Sequence, residues 1–450
     1  MKPRKSAVTE PQGGLFKTEL RFLVDERHAL VKLAGEVDWA QLEAAFGVTF
    51  HERLGRPAIP TRLMVALHYL KYAFDLSDGD VIAAWVENPY WQFFSGMKFF
   101  EHEPPIDPSS MTRWRKRVGE RGAEQLLKET IQAGLRMQVI KPTQLSRVNV
   151  DTTVMEKRVR FPTDARLLDR ARERLVKQAQ AEGIELRQSY ARVGKRELLM
   201  QSRYAHAKQF KRAAKATRKL RTFLGRVIRD VQRKAGDPSP ELSELLEVAT
   251  RIHEQQRNSK NKVYSVHEPQ VACISKGKAN RRYEFGCKVA LAVSSRGGWL
   301  LAAKAHPGNP YDGHTLGSTL TQLRSLAGVE PQHVFVDMGY RGHDYTGSGS
   351  EVHVDQRRRG RIPRSTWRWL KRRAAIEPTI GHLKDHKRLD KNRLKGTLGD
   401  QVNVILSAAG MNLSKLLKQM SANPSLLADF YAWLLARLTP HARTTTPIAA

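Results

Sequence analysis

WRWLKRRAAIEPTIGHLK, residues 367–384, is the stretch on which the reading of this chain turns. In one continuous helix Arg373, Glu377, Ile380 and Lys384 share a face, since steps of four, three and four follow the helical repeat. A carboxylate set between two cations on one face is a poor way to build a core. Two other segments, Val148-Asn149-Val150-Asp151 and Val334-Phe335-Val336-Asp337, share the pattern Val-x-Val-Asp. Strand alternation turns the valines to one face and sends each aspartate off the other, at the strand end. Two strand-end aspartates and a helical glutamate are expected to converge on divalent metal ions.

That donor set suits a particular chemistry. Breaking a phosphodiester without a covalent enzyme intermediate needs an activated water or hydroxyl and a stabilised leaving oxygen. Two Mg²⁺ ions about 4 Å apart supply both. Mg²⁺ takes hard oxygen ligands and keeps several waters, so Asp151, Asp337 and Glu377 suffice as metal ligands and catalytic residues, with Mn²⁺ able to stand in. Zinc would need clustered histidines or cysteines, and no suitably spaced cluster is present. Arg373 and Lys384 are placed to hold phosphates, as is Arg341 in the turn Gly339-Tyr340-Arg341-Gly342 after Asp337. Each acid alone is weak evidence, because a strand-end aspartate is more often a turn residue and a helical glutamate is usually solvated. Their conjunction carries the weight.

Composition narrows the partner. With 77 Lys and Arg against 45 Asp and Glu, the 450-residue chain carries a formal charge of +32. Self-repulsion on that scale points to a polyanion, double-stranded DNA first, ahead of acidic proteins or a membrane surface. Cys273 and Cys287 match no zinc spacing and make no disulfide framework, which fits a reducing cytosol. The amino terminus lacks an apolar signal core, and no run approaches the roughly 18 apolar residues of a membrane span, so neither secretion nor membrane insertion is expected.

In chain order, residues 1–40 carry few periodic signals and read as a partly ordered lead-in. Residues 41–140 read as an all-α DNA-binding domain. There Leu63, Leu67, Leu70 and Phe74 keep helical spacing after Pro60, and Ser77 with Asp80 forms a capping pair. Tyr90, Trp91, Phe93, Phe94, Phe99 and Phe100 supply a core. Ser109 or Ser110 is expected to cap, and Gly119 to end, a short helix bearing Arg113, Arg115, Lys116 and Arg117. A cationic helix after a turn suggests a helix-turn-helix reader of DNA, against the alternative of a solvated face.

Residues 141–155 and 263–387 form an α/β unit with the succession strand, insertion, hairpin, helix, strand, strand, helix. That order suits a ribonuclease-H-like catalytic domain with a mixed sheet between helices. Strand signals return at Val263 after the insertion. In the loop after the hairpin, Asp312 and His314 invite a metal-ligand reading, although a capping aspartate and a loop histidine are the commoner explanation.

The helical insertion after the first strand, residues 156–262, holds 28 Lys and Arg against 13 Asp and Glu. Arg203–Lys234 reads as one amphipathic helix. Its stripe of Leu220, Phe223, Leu224, Val227, Ile228 and Val231 is expected to dock on the catalytic domain or a second subunit. Lys211, Lys215, Arg218 and Lys219 would then face phosphates. Residues 388–450 read as C-terminal helices and a tail, with Val402, Ile405, Ala409 and Leu413 in helical phase, a further helical stretch at 426–438 and a frayed end at 441–450.

Three segments, VNVDTTV (148–154), VFVDMGYRG (334–342) and RAAIEPTIGHLK (373–384), resemble the DDE triad motifs of bacterial insertion-sequence transposases, specifically the insertion-sequence-five family. The third motif of that family has three residues between its arginine and glutamate and six between glutamate and lysine, as do Arg373, Glu377 and Lys384. RLMVALHYLKYAF (62–74), ENPYWQFFSG (87–96) and DKNRLKGTLGD (390–400) resemble the family too, so the likeness spans nearly the whole chain. Leu370 departs from it, standing where related transposases often carry a tyrosine; Trp367 and Trp369 are the nearest aromatic substitutes. The resemblance implies Mg²⁺-dependent cleavage and strand transfer at terminal inverted repeats, by a homo-oligomer in a synaptic complex. The setting it implies is the bacterial cytoplasm, at the nucleoid. The residues by themselves imply a cationic, metal-dependent phosphoryl-transfer enzyme on DNA. A nuclease of the same fold that cuts without joining stays open, and so does an inactive DNA-binding regulator, against which the three intact acids argue.

Overall fold

The computed structural model describes residues 2, 17–50, 57–275, 282–355 and 362–421. The helical stretch expected at 426–438 and the tail at 441–450 lie outside the described residues. Helices come first: α1 (Leu20–Leu23), α2 (Ala29–Glu36), α3 (Trp39–Gly47), α4 (Thr61–Ala73), α5 (Asp78–Glu87), α6 (Pro89–Phe94), α7 (Pro108–Arg136) and α8 (Pro142–Leu145). Their starts follow local chemistry. Ser77 and Asp80 close a full capping box on α5, and Asn88 caps α6 with Pro89 in its first turn. Asp107, rather than Ser109 or Ser110, caps α7 by accepting from the Ser109 N–H at 2.8 Å. At Gly119 the backbone turns to φ 63°, ψ −159°, a conformation open to glycine, and α7 kinks there.

The lead-in expected over residues 1–40 gives way to ordered helix from Leu20. Leu20, Leu30 and Leu33 are buried, because the short helices α1 and α2 lay their few apolar side chains on α6 and α16. Here α16 is the last helix among the described residues, Gly396–Ser421.

Beyond α8 the chain supplies a sheet, the helices packed on it and a separate helical insertion. The strands are β1 (Arg147–Lys157), β2 (Ala272–Ile274), β3 (Glu284–Ser294), β4 (Leu300–His306), β5 (His333–Val336), β6 (Glu351–Val354) and β7 (Lys391–Asn392). The helices among them are α9 (Asp164–Ala181), α10 (Ala191–His206), α11 (Phe210–Lys234), α12 (Pro240–Glu254), α13 (Leu316–Ala327), α14 (Arg364–Arg372) and α15 (Ile376–His386). The first strand after the insertion starts at Ala272, later than the signal at Val263 suggested.

Strand order across the sheet is β2-β3-β1-β5-β6, with β4 also on β3 and β7 also on β1. β1, β3 and β4 pair antiparallel; β5 and β6 extend the sheet parallel to β1. This mixed sheet, with helices before and around it, is consistent with the ribonuclease-H-like architecture expected from the sequence. On one edge of β1 the ladder to β5 covers Arg147–Asn149 and the ladder to β7 covers Glu156 and Lys157. Between them that edge carries no strand among the described residues, and the sheet has a notch.

One apolar core runs from the amino-terminal helices through the sheet to α16, so residues 41–140 do not form a separate unit. The hinge of this arrangement is α16, packed on α4, α7 and β4. Its buried Asn412 accepts from Leu300 N (3.0 Å) and donates to Leu300 O (2.9 Å) and Thr130 Oγ1 (3.2 Å). Such a fully satisfied buried amide favours one docking geometry over its neighbours, since a shift would strand its polar atoms. Lys157 at the end of β1 adds a second tie, with Nζ 2.8 Å from Asp400 Oδ1 and 3.3 Å from Glu268 Oε2.

The insertion has its own core, built from Leu168, Leu175, Leu220, Leu224, Val227, Leu242 and Ile252 among others. This corrects two expectations. The basic stretch is two helices, because the chain breaks at Lys208 (φ 57°) between α10 and α11. Its apolar stripe docks inside the insertion, not on the catalytic domain or a second subunit, because α9 and α12 offer complementary stripes next to it.

Candidate active site

The parallel ladder pairs Arg147 with His333, Val148 with Val334 and Asn149 with Phe335. Carried two places past its last pair, that register would bring Asp151 level with Asp337, at the point where the ladder has ended. Asp337 leaves β5 at its end, as expected, and caps the 3₁₀ turn Met338–Tyr340 through Gly339 N at 3.0 Å. Asp151 is not at a strand end: β1 runs on to Lys157 because β3 pairs with it as far as Glu156. It sits where β5 stops, at the near side of the notch. The valines of both segments are fully buried.

A third aspartate stands beside these two. Asp312 opens a 3₁₀ turn, yet its carboxylate does not cap it. Oδ1 instead accepts from Thr152 Oγ1 (2.8 Å) and pairs with Lys288 Nζ (2.8 Å). A methyl built on Gly339 would lie 3.1 Å from both Asp312 Oδ2 and Asp337 Oδ1, so twice that distance bounds the gap between the two oxygens. Tyr340 lies buried beneath the group. Burial, with Asp151, Asp312 and Asp337 adding their negative fields, pushes its phenol well above the ordinary range. The hydroxyl makes no hydrogen bond of ordinary geometry among the described residues, with the Thr315 side chain alongside. Sequence reading favoured a mere cap for Asp312; what it could not see was that β3 brings Lys288 to the same loop. His314 is exposed and packs edge-on against Tyr311.

The helical motif is not one helix. A 3₁₀ turn, Arg373–Ala375, separates α14 from α15, so Arg373 does not share a continuous α-helical face with Glu377. Arg373 reaches back to the sheet, with Nη1 3.7 Å from Asp151 Oδ2. Its Nε is buried without a hydrogen-bond partner among the described residues. Glu377 lies exposed in the first turn of α15, which packs on β1, and makes no hydrogen bond or ion pair among the described residues. Lys384 lies half-buried on the same helix, and Arg341 is exposed after the Asp337 turn. Leu370 is buried, so the position without a tyrosine serves the core. Trp369 is not an open stacking platform: the guanidiniums of Arg147 and Arg296 each lie 5.0 Å from its ring. Lys371 Nζ sits 3.8 Å from the Trp367 ring.

Of the cations expected on DNA, Arg113, Lys116 and Arg117 are exposed on α7, and Arg117 lies over the Phe50 ring. Arg115 is not among them. It is 4% exposed and grips Asp78 with both terminal nitrogens, at 2.9 and 2.6 Å, because it points inward beside His68 and Lys71. Lys211, Lys215, Arg218 and Lys219 are exposed on α11, with Lys219 Nζ 2.8 Å from Glu197. The absence of a histidine cluster also needs correction. His333, Glu351 and His353 gather on β5 and β6, a grouping no linear spacing reveals because it depends on the parallel register.

The carboxylates around the notch are hard oxygen donors, which fits Mg²⁺. A family described as Transposase domain (DUF772) matches residues 18–117, and a family described as Transposase DDE domain matches residues 251–413. Asp337 and Glu377 fall in the second match, and Asp151 lies between the two. The uncharacterized protein ORF8 in the nfe locus of Rhizobium meliloti is 52% identical over 207 residues, 46% of this chain and all of that protein. No solved structure matches significantly. The chain belongs to the DDE transposases, enzymes of phosphoryl transfer on DNA that use divalent metal ions. Among the described residues no helix is long and apolar enough to cross a membrane.

Proposed function

We propose that this chain is a transposase of the insertion-sequence-five group that binds the terminal inverted repeats of its element and cuts and joins DNA strands there. Asp151, Asp337 and Glu377 hold the metal ions, with Asp312 beside them. What supports this reading is Arg373 lying 3.7 Å from Asp151, together with the β1–β5 register, which if carried two places past its last pair would bring Asp151 level with Asp337. When bound, two Mg²⁺ ions activate the attacking hydroxyl and stabilise the leaving oxygen.

The protein's own residues do the rest. Arg373 balances the charge of Asp151, and its orphaned Nε–H is a buried donor suited to a phosphate oxygen. Lys288 and Thr152 fix the orientation of Asp312. Glu377, exposed at a helix start, is free to turn toward the notch. Arg341 and Lys384 flank it as phosphate contacts, and the exposed cations of α7 and α11 extend a basic surface for double-stranded DNA. The active form is a homo-oligomer that pairs two element ends, working in the bacterial cytoplasm.

The test uses the full chain, supercoiled DNA bearing the inverted repeats, and Mg²⁺. Asp151→Asn, Asp337→Asn and Glu377→Gln should each cut cleavage and joining at least about 100-fold while DNA binding and the melting temperature hold. A variant that cleaves at the parental rate removes its residue from the site. Nicks without joined products would turn the assignment toward a nuclease.

A further inference from the structure

Away from the acids, the edge of the sheet carries a second cluster of metal-ligating side chains. Parallel pairing sets His333 opposite Glu351 and Phe335 opposite His353, so alternation puts all four on one face of β5 and β6. Val334 and Val336 fill the opposite face as core. Three donor atoms converge: His333 Nδ1 to His353 Nε2 is 3.1 Å, His333 Nδ1 to Glu351 Oε2 is 3.3 Å, and His353 Nε2 to Glu351 Oε2 is 3.6 Å. Metal bonds of 2.0–2.1 Å at tetrahedral angles put neighbouring ligand atoms about 3.3 Å apart. The triangle therefore already has the dimensions of one face of a tetrahedral site.

We propose that His333, Glu351 and His353 form a binding site for Zn²⁺ or a similar borderline divalent metal, distinct from the carboxylate centre. Two imidazoles and one carboxylate suit that class and not Mg²⁺. The fourth position lies open to water, since Glu351 is 66% exposed while His353 is 13% exposed. His353 is held in place by its neighbours: its ring stacks on Phe335 at 4.9 Å, and Phe335 stacks in turn on Trp369 of α14 at 6.3 Å. His333 lies four residues before Asp337, about 13 Å along the strand at the usual rise, so one ion cannot serve both places. Bound there, the metal clamps the four-residue edge strand β6 to β5, the strand that delivers Asp337.

The experiment takes the full chain stripped of metal and titrates it at pH 7.5 with Zn²⁺ against a chromophoric chelator, then with Co²⁺ read by visible absorption. One equivalent should bind, with the intense bands of a four-coordinate Co²⁺ site and a higher melting temperature. His333→Gln and His353→Gln should abolish all three signals, and Asp151→Asn should keep them. Should a histidine variant fold poorly, Glu351→Gln changes an exposed side chain only and should weaken Zn²⁺ binding at least about tenfold. Parental Zn²⁺ binding by Glu351→Gln and His353→Gln would overturn the proposal, and so would the loss of Co²⁺ bands in Asp151→Asn alone. The three residues would then be a hydrogen-bonded surface triad.

Discussion

Arg373 and Asp151 meet at 3.7 Å, each side chain about one-sixth exposed, although one follows α14 and the other lies within β1. A cation so placed lowers the cost of packing several acids together, and it competes with metal for Asp151. Arg373→Ala should therefore lower the cleavage rate about 10- to 100-fold while Mn²⁺ binds at least as tightly as in the parent. Paired measurements of nicking rate and Mn²⁺ affinity check this. Weaker Mn²⁺ binding would mean that Arg373 shapes the site rather than competing in it.

Gly339 leaves room for Asp312 and Asp337 to sit close together by being small. Its amide holds Asp337 Oδ1, and a methyl there would press on both carboxylates at 3.1 Å. Gly339→Ala should leave the melting temperature unchanged, raise the Mg²⁺ concentration for half-maximal nicking and slow the reaction about tenfold. A Mg²⁺ titration reads both changes.

Arg115 and its neighbours on α7 should separate folding from binding. Arg115→Gln leaves Asp78 without its bidentate partner and should cost about 3–5 kcal/mol of stability. Arg113→Gln with Lys116→Gln, both on the exposed face, should change stability by less than about 1 kcal/mol while weakening DNA binding.

pH gives the same pair a second readout. Burial alone would raise the Asp78 carboxyl, but Arg115 and Lys71 outweigh it and hold the group well below the usual carboxylate range. A depressed folded-state pKa contributes stability that is complete above the unfolded value, about 3.9, and is lost as pH falls below it. Melting temperature measured from pH 6 to pH 3 should drop more steeply for the parent than for Arg115→Gln.

The insertion offers Lys211, Lys215 and Arg218 as exposed cations clear of its core, whereas Lys219 is paired with Glu197. Reversing the first three to glutamate should spare folding, weaken binding to all DNA sequences alike and reduce the salt slope by up to about three. An unchanged slope would make the insertion a brace whose charge does not meet DNA.

Local pattern settled a good deal by itself. Val-x-Val-Asp occurs twice because a strand must alternate, and Leu220, Leu224, Val227 and Ile228 recur because a helix must present a stripe. The Ser77–Asp80 box and the Gly119 break are likewise short-range chemistry, legible without any neighbour. Periodicity says which face is covered and never by what, so the stripe of α11 pointed to docking but not to α9 and α12 as its partners. Charge shows the same limit. Arg115 and Lys116 are adjacent and equally basic, yet one is spent on Asp78 inside the fold and the other faces solvent. Asp312 reads as a cap until β3 brings Lys288 beside it, and His333 and His353 become neighbours only through the parallel register of β5 and β6. Residue type and spacing determined the chemistry available; long-range pairing, which no local rule encodes, decided which groups meet.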